Sequence, residues 1–187
     1  MGTIAQWIAG TTLGSVIASE HNKIANALNC IGNYSCGSSQ AVSGVATAPT
    51  AVPFDSNDFQ EGLLTHNAIT NNSRFSVSGA GNFVFTAQLQ VSHLTTGTGT
   101  LTAWFRKNGT TPIENSAATI KMNGVQNTDV LVVECNIPMV AGDYIELMVL
   151  ASAASEWNIQ STGTTGTGAT RVPVIPACIM TTICLPV

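Results

Sequence analysis

At 187 residues the chain is long enough to bury a substantial core, and only 9% of its residues are charged, with a net charge of −4. That balance gives no whole-molecule field that would gather nucleic acid or anionic lipid. The six cations (Lys23, Arg74, Arg106, Lys107, Lys121, Arg171) are scattered, with only Arg106 and Lys107 adjacent, so no basic stripe exists and neither nucleic acid nor membrane is an expected partner.

Taken in chain order, the opening MGTIAQWIAGTTLGSVIASEH has no cation before Lys23 and no long apolar run. It does not resemble a secretory signal, and no later stretch reaches membrane-spanning length, so a soluble chain is expected. A helix is predicted over residues 19–31. Ser19 stands at its cap, Ile24, Leu28 and Ile31 fall on one stripe, and Gly32 follows as the stop. The small, polar stretch from Tyr34 to Val52 reads as a linker or extended arm. Residues 1–49 are therefore expected to form an N-terminal arm with a short helix and linker, and residues 50–187 a head domain.

Beyond residue 50 the period changes to two. In FVFTAQLQVS, Phe83, Phe85, Ala87, Leu89 and Val91 share one face, as expected of a half-buried antiparallel strand. Further strands are predicted at Leu101–Arg106, Ala118–Met122, Val130–Cys135, Tyr144–Leu150, Trp157–Gln160 and Val174–Leu185, separated by turn-rich breaks. Asn108-Gly109 is a favoured tight-turn pair and places Arg106 and Lys107 at a strand end beside the turn. The last segment carries Ala177, Ile179, Ile183 and Leu185 opposite Cys178, Met180 and Cys184, a pattern that predicts burial on both faces. The fold class expected is all-β, an antiparallel β-sandwich or jelly roll preceded by the short arm and helix.

Chemistry is sparse. The glycine-rich TTGTGT and STGTTGTGAT lack the Lys-Ser/Thr ending of a phosphate loop and read as strand connections. His21, His66 and His93 are dispersed and no nucleophile stands in a recognisable elbow. Asp55 with Asp58, and Asp143 with Glu146, are possible carboxylate pairs, but Asp143 and Glu146 read as solvent-facing charges at a strand start. Cys30, Cys36, Cys135, Cys178 and Cys184 are expected to be reduced; Cys178 and Cys184 share a face but stand roughly 20 Å apart along one strand, too far to pair. Whether Cys30 and Cys36 pair with each other is open at this level. No catalytic residue, cofactor, metal ligand or small-molecule substrate is expected.

The succession FVFTAQLQV, TAWFRKNGTTPIENS, VAGDYIELMV and PVIPACIMTTIC resembles the jelly-roll head shared by C1q- and tumour-necrosis-factor-like (TNF-like) domains, and more closely a version common in bacteriophage virion proteins. The carriers are Gly81, Phe83, Phe85 and Gln88, then Trp104, Lys107, Asn108, Gly109, Asn115 and Ser116. They continue with Gly142, Asp143, Tyr144 and Glu146, and end with Pro173 and Pro176. The segment WIAGTTLGSVIASEHNKIANALNCIGNY is similar to a short element at the start of phage fibre and other virion proteins.

This resemblance implies a homotrimer and a structural duty without catalysis. The leading expectation is a capsid decoration, or cement, protein. It would be made in the host bacterial cytoplasm and bind the major capsid protein on the outer surface of the virion. Trp7, Ile8, Leu13 and Ile17 are the expected arm anchors on the capsid. The alternative is a head- or tail-fibre receptor-binding protein for a host glycan, with Trp157 beside Thr-, Gly- and Asn-rich loops as its surface. A cellular C1q-like signalling head comes third, because a secretion signal and collagen-like stalk would be expected with it.

Overall fold

A computed structural model describes residues 30–43, 48–125, 127–163, 168–171 and 173–185. Its strands are β1 (Ile31–Cys36), β2 (Gln40–Val42), β3 (Thr50–Ala51), β4 (Ser56–Gln60), β5 (Leu64–His66), β6 (Arg74–Val77) and β7 (Gly81–His93). They continue as β8 (Thr98–Lys107), β9 (Thr111–Pro112), β10 (Ala118–Asn123), β11 (Thr128–Met139), β12 (Tyr144–Ala151), β13 (Trp157–Ile159) and β14 (Cys178–Leu185). All their pairings are antiparallel.

The alternation in β7 organises the first sheet. Phe83, Phe85, Ala87, Leu89 and Val91 are fully buried, while the intervening side chains reach the opposite face. β11 runs along one edge of β7, and β14 and β13 lie end to end along the other. β1 and then β4 extend the sheet beyond β14, and β2 pairs with β13. In the second sheet β12 is central, with β8 on one side and β6 and β3 end to end on the other. β10 and β9 complete it beyond β8, and β5 beyond β6.

The two sheets share one hydrophobic core. Phe83, Phe85 and Leu89 from the first join Leu101, Phe105, Ile145 and Leu147 from the second. Each large apolar side chain withdrawn from water in this way contributes about 1.5–3 kcal/mol. Sheet-on-sheet burial therefore sets the fold.

The structure redraws the predicted division at residue 49. Residues 31–36 and 40–42 are strands of the sandwich, and Tyr34, Cys36 and Val42 belong to its core. Ile31 opens β1, so it is not the last residue of a helix; the remainder of the helix predicted over 19–31, apart from Cys30, lies outside the described residues, as do His21 and Trp7, Ile8, Leu13 and Ile17. Gly32 serves the strand and not a helix stop: a Cβ there would collide with the Tyr34 ring. β14 begins at Cys178, four residues later than predicted. Pro176 has no N–H for a ladder, and before it Ile175 makes only an isolated bridge to Thr162.

Candidate functional site

The motifs around Asn108 and Asp143 meet at one end of the second sheet. Asn108 and Gly109 both have positive φ, 51° and 72°, as the turn after β8 requires. The Asn108 side chain bridges to the turn before β12: its Nδ2 donates to Asp143 Oδ1 at 2.8 Å, and its Oδ1 accepts from the Tyr144 N–H at 2.9 Å. Lys107 Nζ adds an ion pair to Asp143 Oδ2 at 2.7 Å, and the Val140 N–H donates to the same oxygen at 2.9 Å. An added Cβ on Gly109 would lie 2.8 Å from the Tyr144 hydroxyl, so the turn needs glycine for space as well as for conformation.

These donors hold the Asp143 carboxyl down at about 2 from an ordinary 3.8, with the Asn108 amide the largest cause and Lys107 next. Because the folded value is depressed, this contribution is present above about pH 4 and is lost as pH falls through about 2. Asp143→Asn is therefore expected to lower stability at pH 7 by no more than about 1 kcal/mol, because the carboxyl and its partners lie at the surface, where solvent screens them. Its urea midpoint is expected to change less than the parent's between pH 4 and pH 2; an unchanged slope would remove this linkage.

Glu146 corrects the expectation of a solvent-facing charge. Its side chain is only 5% exposed and stands in register between Arg74 on β6 and Arg106 on β8. Arg106 donates through Nη2 at 2.8 Å and Nε at 3.2 Å, while Arg74 Nε lies 3.5 Å from the other carboxylate oxygen. Two cations on one carboxylate make a cross-strand clamp over three strands. Arg74 also covers the Tyr144 ring, its guanidinium 4.6 Å from the ring centre.

Beside this clamp opens a cleft of about 360 Å³, lined by Thr65, Asn67, Thr70, Asn71 and Tyr144 among others. His66 borders it, but the imidazole is committed to structure. Nδ1 faces Asn57 Oδ1 at 2.5 Å, Nε2 faces the Asn72 carbonyl at 2.9 Å, and the ring stacks on Phe75 at 4.6 Å. Burial lowers its pKa, against the Asn72 carbonyl, which raises it.

His93 is also structural. It is fully buried against Trp157, its Nδ1 facing the Gly124 carbonyl at 2.8 Å and its Nε2 lying 3.4 Å from Glu156 Oε1. The Ser152 hydroxyl, hydrogen-bonded to Glu156, is the largest cause of that carboxyl's lowered pKa. Trp157 itself is completely buried, which removes it as the exposed aromatic of a glycan surface.

Asp55 and Asp58, the other candidate carboxylate pair, are held by hydrogen bonds in and beside β1. Asp55 accepts from the Gly37 N–H at 2.9 Å, and Asp58 accepts from the hydroxyls of Ser35 and Ser56 at 3.0 and 2.7 Å. Among the described residues no three His, Cys, Asp or Glu side chains converge as a metal site, and no helix is long and apolar enough to cross a membrane.

The outer face of the first sheet carries several exposed apolar side chains. Register places Ile31, Ile183, Val84 and Asn136 in one cross-strand row, and Phe59, Asn33, Thr181, Thr86 and Glu134 in the next. A third row holds Ser35, Ile179, Gln88 and Val132. Ile183 is 40% exposed, Phe59 46% and Val132 48%, and Glu134 is the one charge in these rows. β14, predicted to be buried on both faces, is thus buried within the chain on one face alone. Of the sequence-derived residues, Phe83 and Phe85 fall in the core, Trp104 pairs with Met148 across the second sheet, and Asn108, Gly109, Gly142, Asp143 and Tyr144 form the turn lock. No protein-family model matches the chain, and no curated protein matches it.

Proposed function

We propose that the chain is a phage virion structural protein: a capsid decoration, or cement, subunit that forms a homotrimer, binds the major capsid protein on the outside of the shell and stabilises it. The observation that carries this reading is the outer face of the first sheet. It spans four or more strands, presents Ile31, Phe59, Val132 and Ile183 to solvent, and has one charge in its three central rows. Exposed Ile, Phe and Val side chains set among almost uncharged polar neighbours make a face that identical copies could cover.

The strand order supports a C1q/TNF-like jelly roll as the finer fold. The first strand β1 lies beside the last, β14, in the order β11-β7-β14-β1, and the opposing sheet runs β10-β8-β12-β6. Polar side chains elsewhere are spent on holding turns and strands together, as in the Asn108–Asp143 lock and the Glu146 clamp, which suits a subunit whose task is mechanical. The fibre-tip alternative loses its aromatic platform with the burial of Trp157.

The test is to image labelled subunits on particles of the encoding phage. A regular lattice of label over the capsid is expected; label at a single vertex would replace this reading with a fibre. Deleting residues 1–17, with Trp7, Ile8, Leu13 and Ile17, is expected to abolish particle binding and leave the sandwich folded. Full occupancy after the deletion would remove the arm from the mechanism.

A further inference from the structure

All five cysteines are buried and unpaired, yet four of them meet across a single ladder. Cys30 and Cys36 stand at opposite ends of β1, roughly 20 Å apart by the strand rise, so they cannot bond to each other. Each instead faces a cysteine of β14. Cys36 is the direct register partner of Cys178, and Cys184 donates its N–H to the Cys30 carbonyl at 2.9 Å. Directly opposed residues of antiparallel strands have Cα atoms about 4.5–5.5 Å apart. That separation falls inside the range of about 4.4–6.8 Å that a disulfide requires. Both side chains of the Cys36–Cys178 pair point to the same, buried face.

We propose that Cys36 and Cys178 are an oxidisable pair that closes into a cross-strand disulfide, clasping β1 to β14. The surroundings favour Cys36 as the attacking sulfur. It is the last residue of its strand and is followed by the exposed Gly37, Ser38 and Ser39, so opening the strand end uncovers it. The Gln40 side-chain amide donates to its sulfur at 2.8 Å. A hydrogen bond from Cys178, with help from Gln40, brings the Cys36 thiol down to about 7 although burial and Asp55 act the other way; Cys178 is pushed up, first by that same bond and then by burial. Cys36 therefore ionises first.

A small organic disulfide supplies the oxidising equivalents. The Cys36 thiolate attacks one of its sulfurs, forms a mixed disulfide and expels one small thiolate. Cys178 loses its proton to solvent and attacks the Cys36 sulfur, forming the protein bond and expelling the second thiolate. Two protein thiols are oxidised, and one small disulfide becomes two thiols. The product ties the far end of the strand that follows residues 1–29 to the centre of the first sheet, so load that peels β1 from Ile31 onward is stopped at a covalent bond at Cys36.

The unmodified chain suffices for the test. It is incubated with hydroxyethyl disulfide at pH 8, alkylated, and cut without reduction by cyanogen bromide, which cleaves after Met180, and by chymotrypsin, which cleaves after Tyr34. The first cut separates Cys178 from Cys184 and the second separates Cys30 from Cys36. The expected result is loss of both alkylation sites, with one linked species joining the Cys36 fragment to the Cys178 fragment; dithiothreitol restores the two separate masses. Alkylated Cys36 and Cys178 after oxidation, or Cys36 bonded to any other cysteine, would overturn the proposal.

Discussion

A chain that begins at residue 50 is expected not to fold. Such a fragment lacks β1 and β2, and with them the whole β1 side of β14 and the β2 partner of β13. It also loses Tyr34, Cys36 and Val42 from the core. Losing even two or three large apolar side chains, at about 1.5–3 kcal/mol each, approaches the 5–15 kcal/mol by which domains are stable at all. The fragment would in addition expose the inward face of β14, including Met180 and Cys178, and an open strand edge prone to aggregation. Circular dichroism during heating is the check. No cooperative transition is expected from residues 50–187, and a cooperative melt near that of the full chain would show β1 to be dispensable.

Within β1, Tyr34→Ala is expected to destabilise the fold by about 3–5 kcal/mol, read from urea unfolding. The ring is fully buried and packs edge-on against Phe75 at 4.8 Å and His66 at 5.1 Å. Tyr34→Phe, in contrast, is expected to change stability by less than about 1 kcal/mol and in the favourable direction, because the buried hydroxyl has no hydrogen-bond partner among the described residues. Burial accordingly holds the phenol well above its ordinary range. A Phe variant as damaged as the Ala variant would mean that the hydroxyl, and not the ring, is what the core requires.

The two substitutions mark where sequence reading reached its limit. The alternation of β7 and β8 and the positive-φ turn at Asn108-Gly109 are local properties, and the structure keeps them: Leu101, Ala103 and Phe105 point inward as their spacing predicts. β1 was hidden because IGNYSC offers one aromatic and one cysteine between small and polar residues, and Ile31 also completes a helical spacing with Ile24 and Leu28. The alternation was present, with Gly32, Tyr34 and Cys36 on one face, but only the tertiary partner β14 gives it meaning. Glu146 was misplaced for a similar reason. Its burial depends on Arg74 and Arg106, cations 72 and 40 positions away that register alone brings alongside it. The outer face of the first sheet has no sequence signature, since its rows are assembled from five separate strands.

The account rests on that outer face being covered by copies of the same chain. Sedimentation equilibrium of the purified protein at micromolar concentration, free of any particle, tests it most directly. The predicted result is a single species of three times the 19.4 kDa chain mass, dissociated by Ile183→Lys on the middle strand of the face. A monodisperse monomer would contradict the account.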